Sequence, residues 1–99
     1  MKKARLRWLP ADEGGRRTGL PKVKRYATIA RFPDDGPEWP DGAWTVVIEF
    51  DQSPDEQGNP SIGAAHFLMN SAPDDRLNGV FELYEGLRKV ADVEVLPDN

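Results

Sequence analysis

The 99-residue chain predicts a single all-β domain, a small barrel or sandwich of six short strands. Three features point there. Apolar and polar residues alternate with period two in several runs. Strong turn signals rich in Gly, Pro and Asp separate those runs. No segment carries the 3.6-residue apolar periodicity of a helix longer than a turn or two. One domain fits the length, and a chain of this size can bury roughly two thirds of its surface without a metal or disulfide.

The first run spans about Lys3 to Leu9, where Leu6 and Trp8 alternate with Arg5 and Arg7. Pro10 ends it, and Asp12-Glu13-Gly14-Gly15 forms a turn. The second run, about Val23 to Phe32, carries Tyr26, Thr28, Ile29 and Phe32. Residues 33–42 follow as a loop whose three prolines preclude regular structure. The third run, Ala43 to Asp51, places Trp44, Val46, Ile48 and Phe50 on one face and is rich in β-branched residues. Residues 52–61 form a second polar loop, with Pro54, Gly58 and Pro60. The fourth run, Ile62 to Asn70, is apolar on both faces, as in a central or closed-barrel strand. A loop about Ser71 to Asp75 leads on, with one short helical turn expected at Asp74 to Leu77. A hairpin closes the chain: Val80 to Glu85 turns at Gly86-Leu87 into Arg88 to Leu96. The folded core is expected to span about residues 3–96. Closure into a barrel would remove the exposed edges through which open sheets aggregate.

Composition narrows the function. The absence of cysteine excludes disulfides, thiolate metal sites and a cysteine nucleophile, and fits a reducing compartment. No apolar run approaches the ~20 residues that span a bilayer, and no signal-like segment follows the charged start. The expectation is a cytoplasmic protein that does not engage membranes. Net charge is −4 but unevenly spread. Residues 1–31 hold ten cations and two acids, a net +8, whereas residues 32–99 hold three cations and fifteen acids, a net −12. Such asymmetry suggests an anionic partner, or else basic strands lying beside acidic ones so that the field cancels.

Two motifs carry a resemblance. The first strand leads into Asp12-Glu13-Gly14-Gly15-Arg16-Arg17-Thr18, and the final hairpin reads Tyr84-Glu85-Gly86-Leu87-Arg88-Lys89-Val90-Ala91. Together they resemble the C-terminal domain of elongation factor Tu standing alone, over about residues 3–96. In that family the loop reads Asp-Glu-Gly-Gly-Arg-His-Thr-Pro and the hairpin Arg-Glu-Gly-Gly-Arg-Thr-Val-Gly. Here Arg17 stands at the histidine and Gly19 at the proline, and the aromatic-rich second strand keeps only Tyr26 and Phe32. The resemblance implies a six-stranded antiparallel Greek-key barrel with no catalytic role, which in the family contacts tRNA and protein partners. It implies no GTP binding, since no phosphate-binding Gly-x-x-x-x-Gly-Lys loop is present. By motif position, Gly14, Gly15, Arg16, Thr18, Gly86 and Arg88 are the candidates for RNA contacts.

The residues make their own case for that loop. Consecutive glycines can form a concave nest of backbone N–H groups that attracts anions, and Arg16 and Arg17 could grip phosphate bidentately. Arg5, Arg7, Lys22, Lys24 and Arg25 would extend the patch, with Trp8 and Tyr26 as stacking platforms. The competing reading is a plain turn, with Arg16 paired to a local acid such as Glu13. His66, the single histidine, lacks a second histidine or cysteine to complete a transition-metal set; a partly buried, hydrogen-bonded side chain is expected. Ser53, Ser61 and Ser71 have no nucleophile elbow around them. The pairs Asp34-Asp35, Asp55-Glu56 and Asp74-Asp75 lack calcium-loop spacing and read as solvated loop charge. Trp39, between Glu38 and Pro40, would cap the barrel or anchor a partner. No catalytic constellation and no cofactor site emerges. Two functions remain: a non-enzymatic module binding RNA, tRNA-like by the resemblance, and a protein–protein interaction or assembly module that has lost RNA binding.

Overall fold

A computed structural model of the chain describes residues 1–72 and 74–97. Pro73, assigned from the sequence to the loop before Asp74, and the side chain of Asp74 in the Asp74-Asp75 pair lie outside the described residues. Six strands form: β1 (Lys2–Trp8), β2 (Arg25–Arg31), β3 (Thr45–Glu49), β4 (Ser61–Phe67), β5 (Val80–Glu85) and β6 (Arg88–Val95). One helical turn, α1 (Pro54–Gln57), and two 3₁₀ turns, at Ala11–Glu13 and Asp74–Arg76, lie in the connections.

The strands close in the order β1-β4-β3-β2-β5-β6, and every neighbouring pair is antiparallel. β2, β3 and β4 follow one another as hairpins, while β1 returns beside β4, which is a Greek-key arrangement. The period-two pattern decides which side chains enter the barrel. Ala4, Leu6 and Trp8 of β1 are buried, and Arg5 and Arg7 between them are exposed. Val46 and Ile48 of β3, with Phe50 just beyond its end, are buried against Phe67 of β4, Phe81 and Leu83 of β5 and Val93 of β6. The β5–β6 hairpin turns through Gly86-Leu87, with Gly86 at φ 63°. A two-residue II′ turn needs a glycine at its first position for that reason.

Several strand ends differ from the sequence-based boundaries: β3 covers Thr45–Glu49 rather than Ala43 to Asp51, β4 starts at Ser61, and the polar loop before it holds the helical turn α1. Two further shifts have clear causes. β4 ends at Phe67, so Leu68 and Met69 leave the wall and stand 50% and 56% exposed. The last ladder bond runs from Leu68 N–H to the Thr45 carbonyl at 3.0 Å, and β3 begins at Thr45, so no partner extends the strand further. β2 starts at Arg25 rather than Val23. The segment before it runs irregularly past the end of β3, where Phe50 N–H donates to the Lys24 carbonyl and Asp55 N–H to that of Pro21. Trp39 does not plug the barrel. Its indole packs 4.6 Å from the outward Tyr84 ring and donates to the Ala30 carbonyl at 3.0 Å, tying the loop of residues 33–42 to the outer wall.

Charge asymmetry along the chain becomes pairing across it. Arg5 and Arg7 of β1 lie opposite Glu94 and Asp92 of β6 in register, with ion-pair distances of 3.4 and 2.9 Å. Exposed pairs of this kind contribute about 0–1 kcal/mol each, whereas truncating a buried leucine costs about 2–5 kcal/mol. Leu6→Ala is therefore expected to destabilise the domain by about 2–5 kcal/mol and Arg5→Ala by under about 1 kcal/mol, measured as urea unfolding free energies. Equal losses from the two substitutions would contradict this division of labour.

Candidate functional site

The topology gathers three connections at one end of the barrel. β1 ends, β2 begins, β3 ends and β4 begins there, and the β5–β6 hairpin turns at the same end. The loop of residues 9–24, the segment of residues 50–60 and the Gly86-Leu87 tip thus become neighbours. The two sequence motifs, more than 60 residues apart in the chain, meet at this end.

Their contact is a network around Glu85. The Arg16 guanidinium forms an ion pair with the Glu85 carboxylate, and the Tyr26 hydroxyl donates to the same oxygen. Arg16 also donates to the Gly19 carbonyl at 2.9 Å and to the Thr18 hydroxyl at 3.2 Å, and lies 5.7 Å over the Tyr26 ring. From the hairpin, Arg88 donates to the Gly14 and Gly15 carbonyls at 3.3 and 3.4 Å. Arg16 therefore pairs with Glu85, 69 positions away, and not with a local acid. Burial, then the hydrogen bond and negative charge of Glu85, push the Tyr26 phenol well above its ordinary pKa near 10, against a smaller opposing effect of Arg16.

Gly14 and Gly15 have different tasks. Gly14 adopts φ 92° to end the 3₁₀ turn. Gly15 permits close approach: a Cβ there would sit 1.8 Å from the Leu9 carbonyl oxygen. Their N–H groups donate to the Ala11 and Pro10 carbonyls, so they do not form the open anion nest expected from the sequence. Trp8 and Tyr26 are also corrected as stacking platforms. Both occupy inward strand positions, are 2% and 8% exposed, and pack edge to face at 5.4 Å. Gly86 shapes the hairpin turn, while Arg16 and Arg88 hold the loop.

The remaining candidates face outward. Arg17, Lys22, Lys24 and Arg25 are exposed, and none forms an ion pair among the described residues. Glu49, the register partner of Arg25, instead contacts His66 Nε2 at 2.9 Å. The second His66 nitrogen meets the Phe67 carbonyl at 3.0 Å, and the ring is half-buried on the outer wall.

Sequence reasoning missed Glu85 as the hub, although its motif was visible, because its partners Arg16 and Tyr26 lie 69 and 59 positions away in the chain. It also missed Asn59. That side chain accepts from Trp8 N–H at 2.9 Å and donates to the Trp8 carbonyl at 2.8 Å, clamping the end of β1. Ser61 completes the clamp by accepting from the Trp8 indole at 3.1 Å. The Asp34-Asp35 pair is organised by Arg76, at 2.6 and 3.2 Å. Among the described residues, no three His, Cys, Asp or Glu side chains converge to hold a metal ion, and no helix is long and apolar enough to cross a membrane.

The Tyr26 shift has a definite sign. A phenol harder to ionise in the folded state contributes stability fully present below its unfolded pKa near 10 and lost as pH rises above it. Urea midpoints between pH 8 and 11 should fall for the parent protein and fall less for Tyr26→Phe. Parallel declines would show that other groups set the alkaline limit. The chain matches no family model, and no curated protein or solved structure is significantly similar to it, elongation factor Tu included.

Proposed function

We propose that this barrel is a non-enzymatic binding module that contacts RNA through the outward cations of residues 17–25. The observation that carries the reading is the contrast between two sets of cations. Arg5, Arg7 and Arg16 are matched by Glu94, Asp92 and Glu85. Arg17, Lys22, Lys24 and Arg25 are exposed and without an ion pair among the described residues. Cations already matched by carboxylates add little to phosphate binding, whereas unmatched ones release counterions from a nucleic acid. The Arg16–Glu85 and Arg88–Gly14 contacts support the reading by fixing the loop that presents Arg17. The motif resemblance favours a tRNA-like ligand in a cytoplasmic, translation-related setting.

A second reading has its own observation. Leu68 and Met69 stand adjacent and exposed at the opposite end of the barrel, which suits a protein partner better than a nucleic acid.

Fluorescence anisotropy of labelled tRNA at low and physiological salt separates the two. Four phosphate contacts predict a log–log salt slope of roughly −3 to −4. Replacing Arg17, Lys22, Lys24 and Arg25 together with alanine should abolish binding, while the Arg5→Ala, Arg7→Ala double variant should bind nearly as the parent does. No binding at low salt would remove the RNA reading. A defined oligomer in sedimentation, dispersed by Leu68→Asp, would then favour the protein reading.

A further inference from the structure

The loop that presents Arg17 also encloses a cleft of about 280 Å³. One wall is Leu9, Pro10 and Ala11, where the chain leaves β1; the other is Arg16, Arg17 and Leu20. This is just below the roughly 300–1,000 Å³ of clefts that bury drug-sized ligands and suits a single small ring system. Both walls are held in place before any ligand arrives. Leu9 N–H donates to the Val90 carbonyl at 2.9 Å, and Gly15 N–H to that of Pro10 at 3.0 Å. On the far side, Arg16 is tied to Glu85 and to the Gly19 carbonyl. A cleft fixed in this way avoids most of the ordering loss on binding.

Its chemistry is divided. Leu9, Pro10, Ala11 and Leu20 give it apolar surface, joined by Trp8, the Asn59 amide and two guanidinium groups. Glu85 neutralises Arg16, whereas Arg17 is exposed and makes no ion pair among the described residues. The matching ligand has a flat, largely apolar body next to a phosphate. Single-stranded RNA supplies that body as an unstacked base, which seats against apolar side chains or a guanidinium plane; its phosphate pairs with arginine. A duplex keeps its bases stacked and cannot fill the cleft. We infer that this cleft takes one unpaired nucleotide of a bound RNA, with the base between Leu9-Pro10 and Leu20 and the phosphate on Arg17. The inference rests on the RNA reading above and adds a selectivity for single strands to it.

The test uses the full chain and three labelled oligomers of equal length: a single-stranded RNA, the same strand in a duplex, and an abasic ribose-phosphate strand. Anisotropy at one fixed salt concentration should show the single strand binding about tenfold tighter than the abasic strand, with the duplex also weaker than the single strand. Ala11→Phe, at an exposed position, fills the cleft and should erase the preference for bases. Leu20→Asn makes the wall polar and should do the same, with circular dichroism confirming that each variant is folded. Equal binding of all three oligomers would overturn the cleft assignment while leaving the cationic RNA surface in place, as would a preference that survives Ala11→Phe. Absence of binding to any oligomer would overturn both.

Discussion

Closure of the barrel by β1 is the constraint on which the rest of the molecule depends. This strand enters between β4 and β6, so it is paired along both edges. Its inward side chains, Ala4, Leu6 and Trp8, complete the core from that side. Without it, the β2–β3–β4 hairpins and the β5–β6 hairpin would form an open sheet with two exposed edges, which invite aggregation. The interaction that secures closure is apolar. A handful of exposed ion pairs at about 0–1 kcal/mol each cannot substitute for a buried face worth several times that.

Charge acts on register instead. With Arg5 opposite Glu94 and Arg7 opposite Asp92, a slip of two residues in one direction would set Arg7 against Val90, and in the other Arg5 against Leu96. Either slip keeps the apolar face inward, so hydrophobic patterning alone does not reject it. Each slip loses one of the two ion pairs, so the cross-strand carboxylates bias the register by about 0–1 kcal/mol. Lys89 reinforces the outer wall, reaching Glu82 at 2.9 Å and Asp92 at 2.8 Å. Burial alone would lower the lysine's pKa; these acids outweigh that effect and raise it. Three of the ten cations of residues 1–31 are thus matched by acids of the later part, and the four cations of residues 17–25 stand out as a group close together in the chain, exposed and without an ion pair among the described residues.

Closure also builds the candidate site. Trp8 terminates β1 in a clamp formed by Asn59 and Ser61, and Leu9 is held by Val90. From that fixed exit the chain makes its 3₁₀ turn, and Gly15 folds back onto the Leu9 carbonyl. Arg16 then reaches Glu85 beside the hairpin turn. The loop is an extension of the barrel wall with defined anchors, and its cleft and outward cations inherit that rigidity.

Local pattern was enough to place six strands and the hairpin turn, because period-two alternation and Gly/Pro chemistry act within a few residues. It also singled out the Asp12–Thr18 and Glu85–Arg88 motifs. Only the tertiary structure decided what those motifs do. Trp8 and Tyr26 looked like stacking platforms until the inward face of closed strands claimed them, and Arg16 found its carboxylate across the barrel. The glycine N–H groups met nearby carbonyls, and β4 stopped at Phe67 where its partner strand ran out. Each outcome depends on which residues, distant in sequence, share a neighbourhood after closure. That information resides in long-range packing and register, which no short window of this chain contains.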